Sequence, residues 1–278
     1  MKSSHPPTLL TLARRALTNE IALPKNARVL VAVSGGPDSM ALLDALAALQ
    51  APLGFAIVAH GVDHGLRADA ARELDVAEAH ARALDVPFAR TRVVVTAGGN
   101  LQERARAARH AALEDARKNT RARFVATAHH ADDRAETVLM RILRGAGPGG
   151  LAVLPPRDGH LIRPLIRATR EAVSLHLERH AIPFSRDPSN EDVRFLRARV
   201  RRDVLPLLRE LDASIVEHLC ALADDLAPHR EKHAPYRIPR NVRLALAALA
   251  TTKRSGEVAL PGGLVAKKVS KKKSSKKR

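Results

Sequence analysis

Four short strand-like runs alternate with helical patterns in the first half of the chain, and this alternation limits its fold more than any other feature. The runs are Arg28–Val33, Phe55–Ala59, Arg92–Thr96 and Phe124–Ala128, with helical periodicity over about 38–50, 69–85, 101–119 and 132–144. Near-continuous apolar strands separated by helices predict an α/β fold, an open parallel sheet with helices on both faces. Right-handed crossovers then bring the strand C-termini to one edge. Open sheets of this kind bind ligands at that edge. SGGPDS, GVDHGLR and TAHHADD fall there, and GGNLQERAR opens the helix after the third run. Four polar motifs on one rim point to an enzyme.

Beyond Gly145 a Gly/Pro-rich loop leads to the apolar stretch HLIRPLI and a helix over about 169–181. SRDPSNEDVRFLRARVRRDVLPLL then passes from loop into basic helix, and Ser214–Leu226 reads as helical. The expected organisation is a catalytic domain over 1–212, a small, mainly helical region over 213–266, and a disordered lysine-rich tail over 267–278.

Charge narrows the partners. The 278 residues include 47 basic and 29 acidic side chains, a net charge of +18. Eight of the basic residues lie in Lys267–Arg278, so the body alone carries about +10. Such a surface is a footprint for polyanions, nucleic acid first. Cys220 is the only cysteine, which excludes an intramolecular disulfide, a Cys-based zinc site and a dithiol redox motif. No apolar run reaches the roughly 18 residues of a membrane span. The opening MKSSHPPTLLTLARRAL lacks the compact apolar core of a signal peptide, so a cytoplasmic location is expected.

SGGPDS follows the first strand and opens a helix. Its glycines let the backbone approach an anion, and the helix start directs amides and positive dipole toward it. Ser34 and Ser39 add hydroxyls, and Gly35, Gly36 and Pro37 shape the turn. Asp38 is an unusual neighbour for phosphate and makes sense if it meets Mg²⁺. The plainer reading is a glycine turn in which Asp38 and Ser39 cap the helix. The P-loop lysine that serves γ-phosphate transfer is missing.

SGGPDS resembles the SGGxDS loop of the PP-loop pyrophosphatases. That resemblance implies an adenine nucleotide alpha hydrolase-like fold and cleavage of ATP between the α- and β-phosphates. TAHHADDRAETVLMRILRGAGPGGL, Thr127–Leu151, closely resembles the signature of the tRNA(Ile)-lysidine synthetase family. GVDHGLR (61–67), GNLQERAR (99–106), RPLI (163–166), DPSNEDVRF (187–195) and RVRRDVLPLL (199–208) fit the same family in order, covering about 28–212. The resemblance implies ligation of lysine to the wobble cytidine of a CAU-anticodon tRNA(Ile), with ATP and Mg²⁺. The implied partners are that tRNA and free L-lysine; a homodimer is left open.

Asp133 and Glu136 lie three apart and share a face at a helix start. The bland alternative is a cap in which Asp133 leads and Glu136 follows three later. The resemblance makes them lysine-binding residues, with Asp38 beside them. His64, His129 and His130 do not form a sensible zinc set; His130 is instead assigned to the adenylate or to proton transfer. Arg104 and Arg106 follow a cap at Asn100; they read either as a solvated helix face or as a contact with the α-phosphate or the tRNA backbone, and Arg104 is taken as the catalytic one. Arg141 and Arg144, with Arg197, Arg199, Arg201 and Arg202, are assigned to tRNA phosphates. The chain departs from the family at Gly61, where a histidine is usual, and at Ala198, where an asparagine is usual. LPGG at 260–263 echoes a family C-terminal element. Other readings are a PP-loop tRNA thiolase, an amidating synthetase, or an RNA-binding module that kept only the fold. A lone Cys220 and the absence of a glutaminase domain count against the first two.

Overall fold

The computed structural model describes residues 7–63, 65, 70–94, 101–185, 196–229, 248, 256–259 and 265–268. His64, Leu66 and Arg67 of GVDHGLR, Asn100, all of DPSNEDVRF, LPGG and the chain beyond Lys268 lie outside the described residues.

Helix α1 (Leu9–Arg15) begins at a Thr8 cap and runs into a π-helical turn, Ala16–Glu20. Strand β1 (Arg28–Val33) leads to α2 (Pro37–Leu53), and β2 (Ala56–Asp63) to α3 (Ala70–Ala83). Strand β3 (Phe88–Arg92) precedes α4 (Leu101–Asn119), and β4 (Phe124–Ala126) precedes α5 (Ala131–Leu143). A single turn, α6 (Pro148–Leu151), is followed by the hairpin β5 (Arg157–Asp158) and β6 (Leu161–Ile162), then α7 (Arg170–Arg179). Helix α8 (Leu196–Arg199), a π-helical turn (Val200–Val204) and α9 (Leu205–Leu211) form one run before α10 (Ile215–Asp225). The wide turn has a local cause. Pro206 has no amide and its ring crowds the carbonyl four residues back, and Leu205 N–H reaches the Val200 carbonyl instead.

The main sheet has six strands in the order β3-β2-β1-β4-β6-β5, parallel throughout except for β5 against β6. The chain steps outward from β1 to β3 and then returns to β4 on the other side of β1. The crevice between the ends of β1 and β4 is therefore the switch point at which such sheets bind ligands.

Strand alternation divides the core. Val29, Val31 and Val33 of β1 join α1, α2 and α7 in one cluster, while Leu30 joins Leu113 and Ala116 of α4 on the opposite face. Each such fully buried Val or Leu contributes about 1.5–3 kcal/mol. A third cluster packs Ala131, Ala135 and Val138 of α5 against Val216, Leu219, Cys220 and Ala223 of α10. Helix α10 thus reaches back from beyond the boundary expected near 212.

Two expectations are corrected and one apolar stretch gains an assignment. The third strand is Phe88–Arg92 rather than Arg92–Thr96, because β2 pairs with it from Ala59↔Phe88 to Asp63↔Arg92. Pairing with a neighbour overrides the more apolar run, whose Val94 is left 87% exposed. HLIRPLI contributes the second arm of a hairpin, for which Asp158-Gly159, with Gly159 at φ +61°, is the local signal. The C-terminal part also holds two strands, β7 (Gly256–Ala259) and β8 (Val265–Lys268), paired antiparallel; Lys267 and Lys268 lie in β8 rather than in the tail.

Candidate active site

Two segments meet at the switch point: the loop after β1 and the first turn of α5 after β4. The loop is built from backbone. Gly35 sits at φ +81°, and a Cβ there would collide with the Glu73 carbonyl, so only glycine fits. Gly36 occupies the cap of α2 without a side-chain cap, and Pro37 starts the helix, which leaves the helix start facing the rim. Ser39 is buried and holds the turn closed. Its Oγ donates to the Gly36 carbonyl at 2.9 Å, accepts from the Ser34 amide at 3.1 Å and lies 3.3 Å from Ser34 Oγ. Neither Asp38 nor Ser39 acts as the cap of α2.

The turn after β4 is built from charged side chains. His130, fully buried, is the cap of α5: its Nδ1 accepts the Asp133 amide at 3.4 Å, and its own amide donates to Asp133 Oδ2 at 3.2 Å. The capping box therefore sits one turn earlier than the Asp133–Glu136 alternative. In the neutral ring, accepting at Nδ1 leaves the proton on Nε2, which lies 3.5 Å from Asp133 Oδ2 and 3.7 Å from Asp38 Oδ2. Burial disfavours a charge on His130, but Asp38, Asp133 and Asp132 outweigh it and raise its pKa above the usual 6.5. Burial would likewise raise the Asp133 carboxyl, yet His130, Arg197 and His129 hold it below the ordinary range. His129 is different. Its Nδ1 bonds Thr127 Oγ1 at 2.9 Å, and its pKa falls to about 4, chiefly through burial and further through Arg163, Arg197 and Arg106. It is neutral at physiological pH.

Glu136 is 0% exposed and satisfied by three guanidiniums. Arg170 Nη2 donates to Oε1 at 3.1 Å, Arg197 Nε to Oε2 at 2.9 Å, and Arg201 Nε to Oε1 at 2.6 Å. Arg197 Nη2 also reaches Asp133 Oδ1 at 2.7 Å. Burying a carboxylate this deeply requires such complete pairing. Arg197 and Arg201 thus turn inward to the acids, whereas Arg199 and Arg202 stay on the surface beside Asp203. Arg141 is half-buried and donates to the Gly150 carbonyl at 3.2 Å; Arg144 is exposed at the end of α5. Arg104 is half-buried on α4, and the charge that reaches His129 from that helix belongs to Arg106.

Sequence reasoning missed Asp132, 1% exposed, which accepts the Arg170 amide at 2.8 Å and pairs with Arg209. It also missed Arg170 as a partner of Glu136. The Thr169 cap that starts α7 was the available signal, since it fixes Arg170 at the first turn. The family departure at Gly61 has a steric counterpart: a Cβ there would lie 2.6 Å from Leu74 Cδ2 and 3.2 Å from Phe88 Cζ. Adjacent His60 is buried, bonded to Thr91 Oγ1 at 3.0 Å and lowered in pKa by burial, so it serves the sheet. Cys220 is buried against the Ala131 carbonyl, and burial pushes its thiol up to about 11, which leaves it unreactive.

A family model described as the PP-loop domain matches residues 9–208. The tRNA(Ile)-lysidine synthase of Thermobifida fusca is 41% identical over 231 residues, 80% of this chain and 69% of that protein. The enzyme of the same name from Geobacter sulfurreducens is 39% identical over 208 residues, 72% of this chain and 44% of that protein. Among solved structures, a U34-tRNA thiolase from Methanococcus maripaludis with its 4Fe-4S cluster shares the fold. Its TM-score is 0.67 at 19% identity, covering 79% of this chain and 80% of that one. The chain spans about half the length of the curated relatives it matches. With SGGPDS and the Asp133–Glu136 turn on one rim, and with relatives of this identity, the chain belongs to the PP-loop family and, within it, to the tRNA(Ile)-lysidine synthases.

Proposed function

We propose that the chain ligates lysine to C2 of the wobble cytidine in the CAU anticodon of tRNA(Ile), consuming ATP and releasing AMP and pyrophosphate. The observation that carries this reading is the approach of Asp38 on the pyrophosphate loop to His130 on the α5 turn, 3.7 Å apart. It brings a place for a departing pyrophosphate within reach of an acid pair suited to an amine.

The loop fits a polyphosphate. Gly35 and Gly36 admit close backbone approach, Ser34 offers a hydroxyl, and the start of α2 favours negative charge. Asp38 is the residue that would hold Mg²⁺, which neutralises charge on the leaving pyrophosphate when bound. The cytosine leaves its stack and enters the rim. Its C2 carbonyl oxygen attacks the α-phosphorus, and the α–β bond breaks. The lysine ε-amine then attacks C2 and AMP departs. Asp133 and Glu136 orient the amine once it displaces Arg197 or Arg201 from them. The proton it loses enters the Asp133–His130 cluster, whose carboxylates favour the charged imidazole. The outward Arg144, Arg199 and Arg202 are assigned to the tRNA backbone.

In the full chain, Asp38→Ala is expected to abolish tRNA-dependent ATP–pyrophosphate exchange while tRNA binding changes little. An unchanged exchange rate defeats the enzymatic reading.

A further inference from the structure

The first turn of α5 is tied to its surroundings one residue at a time. The Ala131 amide donates to the Ala168 carbonyl at 2.8 Å, and the Ala131 carbonyl accepts from Cys220 Sγ at 3.5 Å. Asp132 is held by Arg170 and Arg209, and Asp133 by His130 and Arg197. Arg134 turns away from the rim and is 1% exposed. Its Nε donates to the Val153 carbonyl at 3.0 Å, and its Nη2 to Asp224 Oδ1 on α10 at 2.7 Å. The other oxygen of Asp224 accepts from Arg167 Nη1 at 2.6 Å, and Arg167 in turn reaches Glu20 at 3.0 Å. Among the described residues, Arg134 Nη1 is buried with no hydrogen-bond partner, so Asp224 supplies the only carboxylate paired with this guanidinium.

Successive helical residues are about 100° apart around the axis. Whatever fixes Arg134 therefore fixes the rotation that aims its neighbour Asp133 and, most of a turn on, Glu136. A buried guanidinium does not shift without losing its counter-charge, and a carboxylate bridging two arginines is held from both sides.

We propose that Asp224 is a positioning residue: acting through Arg134, it sets the rotation of the first turn of α5 and so the direction in which Asp133 and Glu136 face the rim. This rests on reading those acids as the lysine site. The pyrophosphate loop belongs to α2 and takes no part in the brace. Loss of Asp224 should therefore act on lysine and spare ATP.

The test uses the full chain with Asp224→Asn and Asp224→Glu. Asp224→Asn is expected to raise KM for lysine about tenfold and to change KM for ATP in pyrophosphate exchange by less than about twofold. Asp224→Glu is expected to restore most of the loss. Hydrogen exchange of the Asp133 amide, which donates to His130 Nδ1 in the first turn of α5, gives a readout that needs no activity. Asp224→Asn should speed that exchange about tenfold or more as the turn loosens. Equal changes in both KM values, or unaltered exchange of the Asp133 amide in folded Asp224→Asn protein, overturn the proposal. If the unaltered chain uses no lysine, the reading of the acids fails instead, and amide exchange in the first turn of α5 decides the role of Asp224.

Discussion

The SGGPDS loop and the first turn of α5 face each other across the same crevice but are built in opposite ways. Ser34–Ser39 is shaped by backbone: a left-handed glycine, a proline helix start and one buried serine whose partners lie within five residues. His130–Glu136 is shaped by buried charge, with partners on α7, α8, the π-helical turn, α9 and α10. A local backbone site is rigid by construction and tolerates change around it. A site made of long-range ion pairs depends on every element that supplies a partner, and any ligand that enters must exchange with cations already in place.

Substitutions can break this contrast, beginning with the costliest. Glu136→Ala should destabilise the fold by about 3–5 kcal/mol, because three guanidiniums lose a fully buried counter-charge; denaturant unfolding measures it. Gly35→Ala should cost about 2–4 kcal/mol from left-handed strain and collision with the Glu73 carbonyl, and should abolish pyrophosphate exchange. If Gly35→Ala retains exchange, the loop is not a tightly fitted backbone cradle.

The third substitution concerns pH. His130 has a folded pKa above 6.5, so its stabilising contribution is full below that value and is lost as pH rises through the raised pKa. Tm should accordingly fall from mildly acidic to mildly alkaline pH, and His130→Gln should flatten that slope. The smallest effect is expected at the surface. Arg199→Ala with Arg202→Ala should change stability by less than about 0.5 kcal/mol while reducing the salt dependence of tRNA binding. Equal salt slopes would remove these two residues from the RNA surface.

The same contrast explains what could be read from sequence. SGGPDS was legible, together with β1 and the start of α2, because every interaction that shapes it lies within a few residues. Asp133 and Glu136 were legible as a pair through their spacing, but their occupants were not. Arg197 lies 61 residues from Glu136, and Asp224 lies 90 from Arg134, so no local pattern joins them. Arg197 and Arg201 looked like part of a uniform basic face. Only the path of α8 into its π-helical turn separates them from Arg199 and Arg202. The third strand was misplaced for a related reason: an edge strand takes its register from its neighbour, and Val94 was sacrificed to it.

The proposed lysine transfer to an activated cytidine needs the loop and the acid turn together. The most direct measurement incubates the full chain with ATP, Mg²⁺, radiolabelled lysine and either the CAU-anticodon isoleucine tRNA or the methionine tRNA that shares its anticodon. Lysine incorporated into the isoleucine tRNA in a strictly ATP-dependent way, with far less in the methionine tRNA, is the predicted result. No incorporation into either tRNA contradicts it.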